Sequence, residues 1–558
     1  DELRAHGHQF RTGSDSEVLA HAYDAWDLDF LDRLDGMFAF ALWDEARGRL
    51  VLARDRLGEK PLYHAAAGGL LLFASELSAL RSHPACPDTL DPMALSAYLA
   101  LEYVPAPRTM LEGVEKLEPA TALILENGAV RCHRYWSLVP RSSRTDYRTA
   151  VAELRTHLAD AVRSRLVSDV PAGVFLSGGL DSSVVAALAA REGRVETFSI
   201  GFTEASFDES SYARDVAKHI GSQHHEHILR ADDMVGLVPR LPEMLDEPLG
   251  DASILPTHVL SRFARERVTV ALGGDGGDEL FAGYPMHQAQ RIAPLLRQLP
   301  GPAHALMRGA LDLLPASARN FSFGFKARTL LSGSAYGPPE NHARWMASFS
   351  PEWQQQLLTP EIRRLGGDGA GAFTAIEAAW QRTTGWPMLG RVSLLDLYTY
   401  LPNDILTKVD RASMAVALEV RAPFLARDVV EFAAALPDQY RMRALQGKRI
   451  LRDAARDLLP ERILRRRKKG FGIPVAAWLR TSLRPLLLEV LSPGPLRDAG
   501  LFRPQFVEHL VREHLSGRRD HRKPLWTLLV FELWRRHAGT PRLPPPAPAS
   551  VPARARRG

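Results

Sequence analysis

The chain has 558 residues, of which 46% are apolar and 24% charged, which is ordinary for a soluble globular protein of two or three domains. A net charge of +5 is weak evidence for nucleic-acid binding, and no apolar run is long enough to predict a transmembrane helix. The two cysteines, Cys86 and Cys132, argue against a disulfide framework and favour a cytoplasmic location. The chain begins with Asp1 inside a helical pattern, so we expect that its true start is missing.

Residues 1–138 are predicted to form a mainly β domain with one helix. The helix covers residues 14–26, where Ser14 and Glu17 have the spacing of a capping box. Apolar runs of strand length follow at 37–44, 49–55 and 69–76.

A polar linker is predicted at 139–149, and strands and helices alternate after it. The predicted strands are 172–177, 196–202 and 267–274, and the predicted helices are 150–166, 181–192, 209–221 and 257–266. Such alternation indicates an α/β fold, a parallel sheet with helices on both faces. The chain is mostly helical from 285 to 537, and the Pro/Arg-rich tail at 538–558 is predicted to be disordered.

The segment VFLSGGLDSS (174–183) lies between a predicted strand and helix, where backbone N–H groups and the helix dipole favour an anion. Gly178 and Gly179 allow phosphate oxygens to approach the backbone. A carboxylate beside phosphate needs a cation, so Asp181 indicates Mg²⁺. The lysine of the common nucleoside triphosphatase loop is absent from the sequence. The alternative is an ordinary strand–helix turn.

A second glycine-rich segment, LGGDGGDELFAGY (272–284), also follows a predicted strand. Because parallel strands end at one edge of a sheet, both segments are expected to meet there. Asp181 and Asp278 would then share one magnesium ion. The alternative is a solvated acidic turn.

Several long motifs carry a family resemblance. SGGLDSS resembles the pyrophosphate loop of the ATP pyrophosphatase family. GGDGGDELFAGY and the segments 400–425, 447–455 and 468–479 are similar to glutamine-dependent asparagine synthetases of the bacterial type. FRTGSDSEVLAHAY, LDGMFAFALWD and LARDRLGEKPLY resemble the glutaminase domain of that family.

The resemblance implies a doubly wound ATP pyrophosphatase domain with a helical C-terminal part over 150–537. An incomplete α+β glutaminase domain of the N-terminal nucleophile type would precede it, at 1–138. The implied reaction adenylates the side-chain carboxylate of aspartate with ATP and Mg²⁺, after which ammonia from glutamine displaces AMP. A homodimer is implied, with neither nucleic acid nor membrane as partner.

The site residues are carried over position by position. ATP and pyrophosphate are assigned to Leu176, Ser177, Gly178, Gly179, Asp181, Ser182, Ile200, Gly273 and Gly274. The resemblance assigns magnesium to Asp181 and Asp278, catalysis to Asp275 and Lys448, and the glutamine α-amino group to Asp15. Such glutaminase domains use an N-terminal cysteine, and Cys86 and Cys132 do not match it. We therefore expect the chain as given not to hydrolyse glutamine, in contrast to the intact gene product.

Other interpretations stay open at this stage. A relative of the same architecture would amidate a different carboxylate, in natural-product or cell-surface biosynthesis, or close a β-lactam ring. RNA modification and a non-catalytic scaffold are weaker alternatives. HHEHI (224–228) is interpreted as a polar strand end rather than a metal site, and RRRKK (465–469) as a segment that flanks the active site or faces solvent.

Overall fold

The computed structural model describes residues 1–141, 143–204, 206–312, 323–366, 369–466, 468, 470, 472–539 and 541–543. Its strands are β1 (Ala39–Asp44), β2 (Arg49–Arg54), β3 (Tyr63–Ala67), β4 (Leu70–Ala74), β5 (Val114–Lys116), β6 (Thr121–Glu126), β7 (Ala129–Arg134), β8 (Ala172–Phe175), β9 (Glu196–Phe202), β10 (Gln223–Leu229), β11 (Val270–Leu272) and β12 (Glu419–Arg421).

The helices of the first half are α1 (Glu2–Ala5), α2 (Asp15–Trp26), α3 (Phe30–Arg33), α4 (Leu77–Arg81), α5 (Pro92–Leu101), α6 (Tyr147–Leu166), α7 (Leu180–Glu192), α8 (Ser210–Ile220), α9 (Ala231–Val235), α10 (Leu241–Met244), α11 (Ile254–Arg265) and α12 (Gly277–Leu280).

The helices of the second half are α13 (Pro285–Arg297), α14 (Gly301–Asp312), α15 (Phe323–Ser334), α16 (Glu340–Met346), α17 (Pro351–Leu357), α18 (Pro360–Arg364), α19 (Ala370–Gln381), α20 (Met388–Tyr398), α21 (Leu406–Met414), α22 (Arg427–Ala435), α23 (Asp438–Arg441), α24 (Arg449–Ala454), α25 (Glu461–Leu464), α26 (Val475–Trp478), α27 (Arg484–Val490), α28 (Pro493–Ala499), α29 (Pro504–Leu515) and α30 (Arg522–His537). Short 3₁₀ turns lie at Asp27–Asp29, Val238–Arg240 and Pro423–Leu425, and a π-helical turn at Leu401–Ile405.

Two antiparallel sheets form the N-terminal part, with strand orders β1-β2-β6-β7 and β4-β3-β5. Successive side chains of β2 point to opposite faces of the sheet, and each face packs against a different apolar cluster. Leu52 packs with Leu62 and Leu117, whereas Val51 packs with Phe30 in the cluster that also contains α2. The predicted strands at 37–44, 49–55 and 69–76 are confirmed by β1, β2 and β4.

Helix α2 confirms the helix predicted over 14–26, but its cap differs from the predicted capping box. The Ser14 side chain accepts a hydrogen bond from Ser16 N (3.2 Å). The Glu17 carboxylate accepts from the backbone N–H groups of Arg11 and Thr12, both at 2.7 Å, rather than from Ser14. The acidic side chain therefore holds the loop before the helix, because that loop folds back over the first turn.

A five-stranded parallel sheet forms the middle of the chain, with the order β10-β9-β8-β11-β12. Its first strand along the chain is central, and the chain moves first to one side and then to the other. That order is typical of a doubly wound sheet, whose switch point here lies between β8 and β11. Val270 and Leu272 join one buried cluster and Ala271 the other, so both faces are covered. The predicted α/β fold is confirmed.

Packing crosses the boundary predicted at residue 138, which itself stays a prediction. Helix α5 is buried along nearly its whole length and packs with α19 and α30 in the largest apolar cluster. Helix α6 begins at Tyr147, inside the predicted linker, because the Asp146 side chain accepts hydrogen bonds from Arg148 N and Thr149 N.

The two predicted polar segments, HHEHI and the C-terminal tail, have different outcomes. HHEHI lies in β10, which pairs with β9 along its length, so the strand interpretation is confirmed. Arg542, near the start of the predicted tail, exchanges backbone hydrogen bonds with Asp88 and Leu90. The rest of that tail, 544–558, lies outside the described residues. Within the described part of the chain, no helix is both long and apolar enough to cross a membrane.

Candidate functional site

Both glycine-rich segments lie at the switch point of the parallel sheet. The first follows β8, where Leu176 N donates to Phe198 O on β9 (2.8 Å). The second follows β11, where Gly273 N donates to Arg421 O on β12 (2.8 Å). Ligands of open α/β sheets bind at the carboxyl ends of the strands beside such a point. The predicted meeting of the two segments is confirmed.

The first loop leads from Ser177 into α7, whose N-cap is Gly179. Ser182 Oγ lies 3.0 Å from Ser177 Oγ and accepts from Ser177 N (3.2 Å), and Gly179 N donates to Ser177 Oγ (3.2 Å). Gly178 has φ +68°, and a Cβ there would lie 2.5 Å from Tyr212 Cβ. The loop is thus folded by its own hydroxyls and pressed against α8, with the N-terminus of α7 facing the sheet edge.

The second loop packs directly on the first turn of α7. A Cβ at Gly274 would lie 2.8 Å from Ser182 N, so only glycine allows this approach. The Asp275 carboxylate folds back toward Gly273, where an added Cβ would lie 2.6 Å from Asp275 Oδ2. The two loops therefore form one continuous surface.

Lys448 joins the carboxylates of the two loops. Its Nζ lies 2.5 Å from Asp181 Oδ2 and 2.6 Å from Asp278 Oδ1, and its side chain is almost fully buried. Lys448 has φ +57° and stands immediately before α24, where its N–H donates to Phe281 O (2.8 Å). Lys468 pairs with the other oxygen of Asp278. The site is a compact cluster of charges around the buried Lys448 ammonium.

The surroundings shift the pKa values of Asp181 and Asp278 in opposite directions. Burial raises the pKa of Asp181, and it also raises the pKa of Asp275. Burial acts on Asp278 too, but Lys448 and Lys468 outweigh it and hold the pKa of that carboxyl below its ordinary value. Asp278 is therefore the firmly ionised member.

The donor set fits a magnesium ion. Asp181 and Asp278 present oxygens to one common cation, and Asp181 Oδ1 is buried with no hydrogen-bond partner in the described part of the chain. Mg²⁺ prefers one or two carboxylates together with phosphate oxygens.

The remaining predicted residues are less central. Leu176 and Ile200 lie at or near the carboxyl ends of β8 and β9, and both are buried. Asp15 is exposed and lies in the first turn of α2, in the N-terminal part. The roles of these residues stay predictions.

Sequence reasoning did not assign Lys468 or Arg466 to the site. Arg466 Nη1 donates to Ser177 O (3.3 Å), and its guanidinium lies 4.1 Å from the centre of the Tyr212 ring. Both residues belong to the basic run RRRKK, whose interpretation as a flank of the active site is confirmed for them. Positions 467 and 469 lie outside the described residues. Basic residues directly before GFG were the available signal.

Comparison with known families now decides the assignment. Residues 153–536 match the asparagine synthase family, and residues 1–136 match the glutamine amidotransferase domain. The chain belongs to the asparagine synthase family. It is accordingly a carbon–nitrogen ligase with glutamine as the amide-nitrogen donor.

Relatives of this asparagine synthase family member share most of its length. A putative glutamine-hydrolysing asparagine synthetase of Mycobacterium bovis is 34% identical over 96% of this chain and 81% of its own length. Asparagine synthetase 1 of Bacillus subtilis is 28% identical over 96% of this chain and 82% of its own length. The glutamine amidotransferase match begins at residue 1, which gives no support to the expected missing start.

Proposed function

We propose that this asparagine synthase family member converts aspartate to asparagine through a β-aspartyl-adenylate, with release of AMP and pyrophosphate. The observation that carries the proposal is the Lys448 ammonium between Asp181 and Asp278, at the junction of two glycine-rich loops. Carboxylates, a lysine and backbone N–H groups at one sheet edge suit the transfer of a nucleotidyl group.

The first loop would bind the β and γ phosphates. The N-terminus of α7 and the hydroxyls of Ser177 and Ser182 supply hydrogen-bond donors to an anion. Gly178 and Gly179 leave the backbone accessible. Leu176 and Ile200 would border the nucleoside.

Charged side chains where the two loops meet would stabilise the reacting groups. Lys448 would stabilise negative charge that grows on the α-phosphate, for which a point charge on a flexible stem is suited. Asp275, beside Gly273 and Gly274, would act where the aspartyl-adenylate forms. Magnesium, held by Asp181 and Asp278, would neutralise the charge of the departing pyrophosphate.

The N-terminal part would bind glutamine. Asp15, exposed in the first turn of α2, would bind the α-amino group of glutamine. The partly buried ion pairs of Lys60 with Asp410 (2.9 Å) and of Lys116 with Glu247 (2.6 Å) tie this part to the parallel-sheet part.

The proposal is tested by pyrophosphate release with ATP, Mg²⁺ and a panel of carboxylates, with ammonia as the nitrogen source. We expect aspartate to stimulate release and asparagine and AMP to form in equal amounts. Ammonia as donor separates this test from glutamine hydrolysis.

Glutamate and β-alanine, the β-amino acid that lacks the α-carboxylate of aspartate, serve as matched controls in the panel. Release with another carboxylate and none with aspartate would overturn aspartate as the acceptor while leaving the adenylation chemistry intact. No release with any carboxylate would overturn adenylation itself.

A further inference from the structure

A buried carboxylate bridges two histidines next to the second loop. Asp396 on α20 accepts hydrogen bonds from His287 Nε2 on α13 and from His342 Nε2 on α16, both at 2.7 Å. All three side chains are fully buried. One carboxylate therefore joins three helices, of which α13 directly follows the second loop.

The hydrogen bonds of this triad determine which ring nitrogens carry hydrogen. An ionised carboxylate only accepts, so both Nε2 atoms carry hydrogen. His287 Nδ1 and His342 Nδ1 are buried and have no partner among the described residues. Burial would raise the pKa of Asp396, but the two histidines outweigh it and lower that pKa to about 2.

A short chain of contacts leads from the triad to the metal carboxylate. The His287 ring centre lies 5.6 Å from that of Tyr284, the residue that precedes α13. Tyr284 OH donates to Glu279 Oε1 (2.6 Å), and Glu279 is the neighbour of Asp278 in α12. Every member of this chain of contacts is buried or nearly so.

We propose that Asp396 is a positioning residue that, through His287 and Tyr284, fixes Asp278 in the orientation that binds the metal. The inference rests on the proposed function, because it assigns the metal to Asp278. A ligand held in place by buried hydrogen bonds loses less freedom when the ion binds, so loosening it weakens metal binding more than it slows chemistry.

The test compares Asp396→Asn with the wild-type chain. Binding of Mn²⁺ with ATP is measured by electron paramagnetic resonance, and pyrophosphate release is measured over a range of Mg²⁺ concentrations. We expect about a 10-fold weaker Mn²⁺ affinity and a matching rise in the Mg²⁺ concentration for half-maximal rate. The rate at saturating Mg²⁺ should change far less. Tyr284→Phe should reproduce the shift, and the double variant should add little to it.

A matched control lies between α13 and α16, two of the three helices that the triad joins. Gln290 on α13 and Asn341 on α16 exchange hydrogen bonds of 2.9 and 3.1 Å and are equally buried. Asn341→Ala therefore loosens the α13–α16 packing without cutting the Asp396–His287 bond. It should leave the Mn²⁺ affinity unchanged while lowering the melting temperature.

The outcomes distinguish a failure of the positioning role from a failure of the metal site. A shift in Asn341→Ala equal to that in Asp396→Asn would overturn the positioning role, as would an unchanged affinity in a folded Asp396→Asn. If Asp396→Asn fails to fold, His287→Gln is measured instead, since glutamine keeps an N–H for Asp396 but lacks the ring beside Tyr284. An unchanged affinity there also overturns the proposal. Failure of the wild-type chain to bind Mn²⁺ with ATP would overturn the metal site of the proposed function instead.

Discussion

The loop after β8 and the loop after β11 lie side by side at one edge of the parallel sheet, yet different interactions hold them. The first is folded by hydrogen bonds of the Ser177 and Ser182 hydroxyls and is pressed against Tyr212. The second is held by ion pairs of Asp278 with the buried Lys448 and with the more exposed Lys468.

This difference assigns a separate weakness to each loop. Hydrogen bonds and close packing fail when volume or a hydroxyl changes, whereas an ion pair fails when a charge is removed. Asp181 belongs to the first loop by position but reaches Lys448 of the charged cluster, so it connects the two loops. Substitutions that alter only charge or only volume therefore distinguish them.

The largest effect is expected from removing the carboxylate charges. Asp181→Asn and Asp278→Asn should each lower pyrophosphate release on the order of 100-fold or more, because each removes preorganised charge at the site. Asp453→Asn, which changes a carboxylate on α24 that accepts from Tyr147 OH, is the control and should keep the activity. Release is measured at saturating ATP and aspartate. Retained activity in Asp181→Asn would contradict a shared cation.

The same two variants should differ in stability. Lys448 and Lys468 hold the pKa of Asp278 below its ordinary value, so ionised Asp278 stabilises the fold, whereas burial raises the pKa of Asp181, so its charge costs stability. At pH 7, Asp278→Asn should lower the free energy of unfolding by about 3 kcal/mol, and Asp181→Asn should not lower it. The loss in Asp278→Asn should shrink as the pH falls below about 4, where the unfolded carboxyl protonates. Equal melting curves for both variants would contradict this assignment of charge.

A smaller effect is expected from adding one methyl group to the first loop. Gly178→Ala places a Cβ at φ +68° and 2.5 Å from Tyr212 Cβ, so the loop must move. We expect the KM for ATP to rise about 10-fold, equivalent to about 1.4 kcal/mol, with a smaller change in kcat. Gly494→Ala in α28 is the control, because an added Cβ there meets nothing within 4 Å. Similar KM values for the two variants would show that packing on α8 does not shape the loop.

Much of the fold was readable from local patterns. Strand–helix alternation predicted the parallel sheet, and Ser14 before an apolar periodicity predicted α2, because both signals are local. The partners of Glu17 were not readable, since they depend on how the preceding loop folds back. The packing of α5 in the core of the helical part could not be predicted for the same reason, because a uniformly apolar sequence does not indicate which helices it packs against.

The site shows the same division between local and distant information. Glycine, serine and aspartate spacing identified both loops, and the family resemblance identified Lys448. Lys468 and Arg466 reach the loops from far along the chain, through a segment whose sequence reads equally well as a solvated basic run. The triad around Asp396 joins α13, α16 and α20, which no periodicity relates. Tertiary ion pairs of this kind follow from the fold and not from spacing.

The smallest effect is expected from removing one hydroxyl of the first loop. Ser182→Ala deletes the oxygen that accepts from Ser177 N (3.2 Å) and lies 3.0 Å from Ser177 Oγ, while the backbone of α7 stays as it is. A hydrogen bond of this kind contributes about 1 kcal/mol, so pyrophosphate release at limiting ATP should fall about 5-fold. Ser164→Ala removes a hydroxyl that donates to Ala161 O in its own helix, and it should leave the rate unchanged. Because serine carries no charge, the loss should be the same at low and high salt, whereas a loss that shrinks as salt rises would place Ser182 in the charged cluster with Lys448.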